Sequence, residues 1–580
     1  MEMINIKINN IPLTVEKGTT ILEAAEKIGV KIPTLCFLKD LNEIGACRMC
    51  VAEVKGARSL VASCVYPIER EGTEIFTNSR KVQQSRKTTL ELILSNHDRK
   101  CLSCPRNGSC ELQQMCYDFG VEDECRYDGS NPKVKVDTST PHLVRNNNKC
   151  ILCRRCVAVC NDQYVGVIGA NNRGFDTEIG CYFNADLNDT SCVSCGQCTA
   201  VCPTGALVEK DQTDEVFAAL DDPDKYVVVQ TAPAIRATLG ECFDMPIGTN
   251  VKGKMVTALK MLGFDKVFDT DFGADLTIME EANEFIERVK NGGTLPMITS
   301  CSPGWIKFCE FYYPDLLDNL SSCKSPQQMT GAMIKTYYAQ KEGLNPEDIV
   351  VVSVMPCTAK KFEIGRDDQN AAGVPDVDVV LTTRELAKMI KASQIQFTKL
   401  PDSEFDPALG ITTGAAAIFG ATGGVMEAAL RTAADTLTGQ SLESIDYTEV
   451  RGTDGIKEAT YNVAGMDVKV AVASGLTNAA KVLDKVRAGE ADYQFIEIMC
   501  CPGGCVNGGG QPIQSASVRN FTDLKAERAK ALYEEDKNLP LRKSHDSPII
   551  KQVYEEFLEK PGSHKAHELL HTSYVKREKY

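Results

Sequence analysis

Residues 150–160 read CILCRRCVAVC and residues 192–203 read CVSCGQCTAVCP. Each stretch is C-x2-C-x2-C-x3-C, and Pro203 follows the second directly. Thiolates are the donors that sulfide-bridged iron prefers, and this spacing is the ligand run of two-cluster iron–sulfur folds. In that arrangement the fourth cysteine of each run serves the other cluster. The implied sets are Cys150, Cys153, Cys156 with Cys202, and Cys192, Cys195, Cys198 with Cys160. Two such runs in tandem make residues 126–209 a compact two-[4Fe-4S] module.

The surrounding composition agrees with metal rather than disulfide use of cysteine. The chain has 580 residues, 26 cysteines and a net charge of −15. Eighteen cysteines lie before residue 203 and eight after it. The start, MEMINIKINN, has neither a basic stretch nor an apolar core, so no signal peptide is expected. No run of about 18 apolar residues occurs, so no membrane span is expected. The expectation is a reduced, cytoplasmic chain of roughly three or four domains. The acidic balance disfavours nucleic acid or an anionic membrane as partner.

Upstream of the double run, residues 1–79 read as a small α+β unit. Ile4, Ile6 and Ile8 alternate with polar residues, as in a half-buried strand. Leu13 and Val15 resume a strand after Asn9-Asn10. Thr19 precedes ILEAAEKIG, a helical stripe with Gly29 as its expected C-cap. Cys36, Cys47, Cys50 and Cys64 follow as C-x10-C-x2-C-x13-C, which fits a β-grasp [2Fe-2S] ferredoxin. Residues 80–125 open with a helical stretch, RKTTLELILSNH. They then present His97, Cys101, Cys104 and Cys110 as H-x3-C-x2-C-x5-C. That donor set suits zinc or a [4Fe-4S] cluster, and the neighbouring clusters favour the latter. Cys116 and Cys125 have no ligand spacing and read as structural.

Residues 210–580 change texture. Short apolar runs (226–230, 295–299, 349–355, 468–474) alternate with helical stretches such as TRELAKMIKAS. That pattern predicts an α/β domain around mostly parallel sheets buried on both faces. Clusters that exchange single electrons form a wire, so this half should consume or supply the electrons. Three cysteine segments close apolar runs: TSCSPGW at 299–305, MPCTAKKFE at 355–363 and EIMCCPGGCVNGGG at 497–510. Strand ends deliver loops to a shared site, and the glycines of the third segment allow close backbone approach.

These three segments, downstream of four cluster motifs, resemble the signature loops of the iron-only, or [FeFe], hydrogenases. The chain is most similar to the monomeric clostridial type with four accessory clusters. The resemblance covers essentially the whole chain, including RKSH…KPGSHKAHELLH near the end. It implies the chemistry 2H⁺ + 2e⁻ ⇌ H₂ at an H-cluster. That centre is a [4Fe-4S] cube joined by a cysteine thiolate to two irons carrying CO, cyanide and an azadithiolate bridge. It also implies one [2Fe-2S] and three accessory [4Fe-4S] clusters, ferredoxin or a similar small electron carrier as partner, and maturation proteins for the two-iron centre.

Carried over by motif, the resemblance makes Cys357, Cys501 and Cys505 cube ligands, with Cys505 bridging to the two irons. Lys360 would hold a cyanide ligand, its ammonium offsetting the anionic centre. Pro233, Ser325 and Gln327 would line the diatomic ligands, and Met355 and Met499 would pack on the two-iron unit. The methionines also read as soft core fillers. Glu281, Glu284 and Arg288 match the family's proton path together with Ser321. Their i, i+3, i+7 spacing also fits a solvated helix face.

The first loop departs from the family's TSCCPxW. Here the pair is Cys301-Ser302, so the relay thiol is kept and a cube ligand is lost. Three replacements are open: Cys301 shifting register, Cys323 of SSCKSPQQ, or Ser302 through oxygen. Cys301 is favoured, which would alter the relay. Cys500 reads as an extra thiol beside a ligand. The segment GATGGVMEA at 420–428 lacks the Lys-Ser/Thr ending of a phosphate loop, and its glycines read as packing near the H-cluster. Other readings remain open. One is a hydrogen-sensing relative or a subunit of an NAD-linked complex, although no dinucleotide fingerprint occurs. Another is a non-hydrogenase iron–sulfur protein, since residues 1–209 also resemble the large iron–sulfur subunit of respiratory complex I and the last part resembles Nar-type assembly factors.

Overall fold

The structure, a computed structural model, describes residues 2–122, 126–129, 133–440, 445–463 and 465–579. Cys125 therefore lies outside the described residues. The strand Met3–Ile8 alternates exposed and buried positions along its length. It pairs antiparallel with Ile11–Glu16 and parallel with Glu74–Phe76. Val51–Val54 and Val61–Ala62 complete a five-stranded sheet. Its helix, Ile21–Glu26, is capped by Thr20 rather than the expected Thr19, because only Thr20 places Glu23 at N3 for a capping box. The C-cap is Lys27 rather than Gly29, which lies in the turn beyond with φ +70°.

The helix Arg80–Leu94 begins earlier than its sequence pattern, because the Ser79 hydroxyl accepts from the Val82 N–H. The double cysteine run forms two short helices, Arg155–Asp162 and Gln197–Val201. Two two-stranded ribbons flank them, Leu143–Arg145 with Leu207–Glu209 and Gly169–Asn171 with Glu178–Gly180.

Beyond residue 210 the expected α/β organisation resolves into two four-stranded sheets. The first is fully parallel, in the order Lys266–Asp269, Tyr226–Thr231, Ile349–Met355, Val379–Thr382. Its strands are buried almost throughout, which explains their unbroken apolar runs. The second has the order Met297–Ile298, Phe495–Met499, Met466–Ser474, Ile456–Val463. Only its last pair is antiparallel. The apolar run at 295–299 contributes just two strand residues.

The parallel strands of both sheets end facing one region. Pro233 follows Thr231, Pro356 and Cys357 follow Met355, Ser300 and Cys301 follow Ile298, and Cys500 follows Met499. The helix Leu524–Asn538 straps this region from outside. Its buried Arg528 donates to the carbonyls of Val506 and Pro512, pinning the third cysteine loop. Arg236, Asp269, Asp271 and Glu535 form a buried ionic network joining that helix to the first sheet.

Candidate metal centre

The three cysteine loops converge on one mostly apolar cavity. Cys301 and Ser302, Cys357 and Lys360, and Cys500, Cys501 and Cys505 all reach its wall. Pro233, Gln327, Met355 and Met499 close it. Ser325 lies just off that wall, its hydroxyl donating to Glu363 Oε2 at 2.9 Å. The Cys501 thiol interacts with those of Cys357 and Cys500. A gathering of buried thiols suits soft metal, and no described cysteine is in a disulfide.

The cradle depends on glycine. A Cβ at Gly508 would lie 2.2 Å from the Pro356 carbonyl, and one at Gly509 would lie 2.4 Å from that of Cys195. The third loop is thereby pressed between the second loop and the ferredoxin-like module. Glu497 holds it from the other side. Its carboxylate accepts from Gly423 N at 2.6 Å and Met426 N at 2.7 Å. These amides open the helix Gly424–Thr438. A glutamate thus fills the anion site that the glycine-rich 420–428 segment would otherwise offer. Phe419 and Gly420 themselves line the cavity.

Among the described residues, Lys360 Nζ is the one cationic group on the cavity wall; it donates to Glu363 Oε2 at 2.9 Å and to the Cys301 carbonyl at 3.2 Å. Glu363 also accepts from Gln327 Nε2 at 3.0 Å. This glutamate closes the MPCTAKKFE segment, and the sequence pattern alone assigns it no role. The signal it carries is a carboxylate three residues after Lys360 on one helical turn.

The relay candidates sit on the helix Asp271–Asn291. Glu281 is fully buried and its carboxylate makes no hydrogen bond. Burial and the neighbouring Glu284 push it up to about 8. Ser321 Oγ donates to Glu284 Oε2 at 3.1 Å, and Arg288 Nη2 donates to Glu284 Oε1 at 2.6 Å. Glu284 and Arg288 are part-exposed, so the series runs from a buried end to the surface. The groups acting most strongly on the Cys301 thiol are Glu281, Cys505, Lys360 and Glu497. Cys323 lies away from the cavity, 3.8 Å from Glu284 Oε2. Glu280, Tyr554 and His571 form a buried set behind this path, with Tyr554 Oη donating to Glu280 and His571 Nε2 3.2 Å from it. Only the tertiary fold brings these distant residues together.

The other cysteines gather in sets. The Cys47 N–H approaches Cys36 Sγ at 3.5 Å, and Cys50 Sγ meets Cys64 Sγ at 3.3 Å. A second cavity is walled by Cys150, Cys153, Cys156 and Cys202. Cys160 interacts electrostatically with Cys192 and Cys195, and Cys198 does so with all three. His97 is buried with Nδ1 unpartnered, as a nitrogen donor awaiting a metal would be. Its cysteines abut the end of the second run: Cys110 Sγ lies 3.6 Å from the Pro203 carbonyl. A Cβ at Gly205 would meet Cys104 Sγ. Asn42 Nδ2 donates to the carbonyls of both Cys36, at 2.7 Å, and Cys153, at 3.1 Å. The N-terminal module thus touches the double cysteine run, and that run touches the catalytic loops.

Comparison with known proteins agrees along the whole chain. Residues 225–509 match the family described as iron only hydrogenase large subunit, C-terminal domain, and residues 522–577 match iron hydrogenase small subunit. Residues 1–80, 86–124 and 149–206 match a 2Fe-2S iron-sulfur cluster binding domain, the NADH-ubiquinone oxidoreductase-G iron-sulfur binding region and a 4Fe-4S dicluster domain. Iron hydrogenase 1 of Clostridium pasteurianum is 46% identical over 577 residues, 99% of this chain and 100% of that one. The chain belongs to the iron-only, or [FeFe], hydrogenase family. This [FeFe] hydrogenase is also 49% identical to the NADP-reducing hydrogenase subunit HndD of Solidesulfovibrio fructosivorans, over 100% of both chains. Among solved structures it resembles apo HydA1 of Chlamydomonas reinhardtii, with a TM-score of 0.57 and 43% identity. That match covers 64% of this chain and 100% of that one. An H-cluster comes with the family, and the matched 2Fe-2S and 4Fe-4S domains bring accessory iron–sulfur clusters. Among the described residues, no helix is long and apolar enough to cross a membrane.

Proposed function

We propose that this [FeFe] hydrogenase interconverts protons and H₂ in the cavity of the three loops and trades electrons with ferredoxin through four accessory clusters. The convergence of the thiols of Cys357, Cys501 and Cys505 with Lys360 on one apolar cavity carries the reading. Those thiols would hold the cube, with Cys505 shared with the two-iron unit. The H-cluster, once bound, supplies the centre where two protons and two electrons combine. Lys360 offsets its negative charge in a place where water is scarce. Gln327 and Pro233 shape the space for its small ligands, with Ser325 behind them, and Met355 and Met499 pack against it.

Protons reach the cavity along Arg288, Glu284, Ser321, Glu281 and Cys301. A buried carboxyl that titrates near neutrality both takes and gives a proton at working pH. Electrons enter through the [2Fe-2S] set Cys36, Cys47, Cys50, Cys64, or through the His97, Cys101, Cys104, Cys110 set. They pass to the paired [4Fe-4S] sets and leave by Cys195. The module limits that follow are 1–79, 80–125, 126–209 and 210–580. Full-length similarity to an NADP-reducing hydrogenase subunit supports a second reading, in which a partner subunit links this wire to a nicotinamide. Maturation proteins would install the two-iron unit in either case.

The test is anaerobic expression with maturation proteins, H₂ uptake and evolution with a viologen dye, and infrared spectra. CO and cyanide bands with turnover are expected, and their absence ends the two-iron assignment. Comparing reduced ferredoxin with a nicotinamide plus partner subunits separates the two electron routes.

A further inference from the structure

We infer that the fourth thiolate of the catalytic cube is Cys500, a position outside the family's usual ligand set that makes good the cysteine lost at Ser302. The inference rests on the reading of the three-loop cavity as the seat of the cube. The three other candidates are each engaged elsewhere. Cys301 reaches the wall, but after burial the neighbour acting most on its thiol is Glu281, the inner end of the proton path. Cys323 is off the wall and beside Glu284. Ser302 reaches the wall, but its hydroxyl oxygen accepts the backbone N–H of Cys500 at 3.2 Å. It does not cap the helix Pro303–Tyr312 that it precedes. Its service is to fasten the first loop to the third.

Cys500 has what these lack. It is 2% exposed and lines the same cavity as Cys357, Cys501 and Cys505. Its thiol interacts with that of Cys501, which also meets Cys357. It stands over Gly304 so closely that a Cβ there would lie 2.7 Å from Cys500 Sγ. The sulfur therefore sits above the backbone of the first loop, two residues past Ser302. A ligand has moved from one loop to the facing one while the corner it serves has stayed. A thiol is also the softer and more acidic donor, which favours it over the Ser302 hydroxyl for iron. On loading, Cys500 releases its S–H proton to solvent and forms one iron–sulfur bond, with no change in oxidation state.

The same thiol also interacts with Cys195. Cys195 stands in a complete run of its own, with Cys192, Cys198 and Cys160. The exchange thus places a cube ligand directly against a ligand of the adjacent accessory cluster. Cys301 is left free as the proton-relay thiol.

The test uses the full chain produced anaerobically without maturation proteins, so that cubes load and the two-iron unit does not. Iron per chain and the Mössbauer and EPR spectra of the reduced protein are compared across single variants. Cys357→Ala and Cys500→Ala should each lose one cube's iron and the same spectral component. Cys301→Ala, Ser302→Ala and Cys323→Ala should keep both. The [2Fe-2S] signal, retained in each, reports that the chain has folded. The double variant Ser302→Cys, Cys500→Ala should regain the cube, which separates a missing ligand from damaged packing. A full cube in Cys500→Ala, a cube lost in Cys301→Ala or Ser302→Ala, or no recovery in the double variant overturns the inference. A full complement of iron in Cys357→Ala would instead remove the cube from this cavity, and with it the functional reading.

Discussion

Lys360 Nζ and Glu363 Oε2 stand 2.9 Å apart, both side chains largely buried, on a single turn beside the cavity. The same carboxylate oxygen accepts from Ser325 and Gln327. One glutamate therefore positions Lys360 and Gln327 on the cavity wall and Ser325 just behind it. Removing one partner of a buried pair leaves the other charged and desolvated, which costs about 3–5 kcal/mol. Glu363→Gln should lower the stability of the metal-free catalytic half by that order. It should also broaden the CO and cyanide bands of the loaded enzyme, because Lys360 loses its fixed direction. Sharp bands at unchanged frequency would show that Lys360 is held by other groups.

Glu281 is buried without a hydrogen bond and is pushed up to about 8. Below that pH it carries a proton into the interior, and above it the carboxylate must be recharged from Glu284. H₂ evolution should therefore fall as pH rises through about 8. Glu281→Gln should reduce turnover by about 10²–10⁴-fold, the usual worth of a positioned acid–base group. Metal content and infrared bands should not change. A variant with normal turnover would place the proton path elsewhere.

The Glu497 carboxylate receives two amides at the start of the helix Gly424–Thr438. Charge-assisted bonds of this kind contribute about 1.5–3 kcal/mol each. Glu497→Gln keeps the shape and loses one acceptor oxygen and the charge. The third loop should loosen, so cube loading should fall and proteolysis near residue 500 should rise. Unchanged loading would mean that Arg528 and the glycine contacts hold the loop unaided.

The difference between what the sequence discloses and what the fold adds is visible in these residues. Cysteine runs at fixed spacing are local, so their grouping is legible along the chain itself. Strand ends carrying Cys301, Cys357 and Cys501 are legible too, because buried parallel strands leave unbroken apolar runs. Glu363 and Glu497 lie inside motifs, yet their partners at Ser325, Gln327, Gly423 and Met426 are far away in sequence. Cys500 shows in the sequence only as a surplus thiol. Its meaning comes from Gly304 and Ser302, almost two hundred positions earlier and in a different loop. Local capping chemistry also puts the cap of the first helix at Thr20 and not Thr19, because only Thr20 has a glutamate at the right offset.

His97 supplies a second test of cluster chemistry. Its Nδ1 is buried without a partner, and burial lowers the imidazole to about 4, so it is neutral and free to donate a lone pair. His97→Ala should cost one accessory cluster's iron and leave viologen-linked turnover intact. His97→Cys should keep the cluster and lower its potential, since a thiolate adds negative charge. Zinc in place of iron in the anaerobically prepared chain would assign the site to a structural ion.

Asp275 offers a stability prediction with a definite sign. It is fully buried, accepts from Thr413 Oγ1 at 2.6 Å and Thr413 N at 3.1 Å, and burial pushes it up to about 7. An unfolded aspartate titrates near ~3.9. Between those values the folded chain holds a proton that the unfolded chain has lost. Stability from this group is therefore full below about pH 4 and is lost as pH rises through about 7. The slope is at most about 1.4 kcal/mol per pH unit. Asp275→Asn is neutral throughout and should remove this slope. The unfolding midpoint, followed by fluorescence of the single Trp305, should shift in the variant's favour as pH rises from 5 to 7. Parallel pH profiles for the two proteins would show that Asp275 is ionised in the folded state across this range.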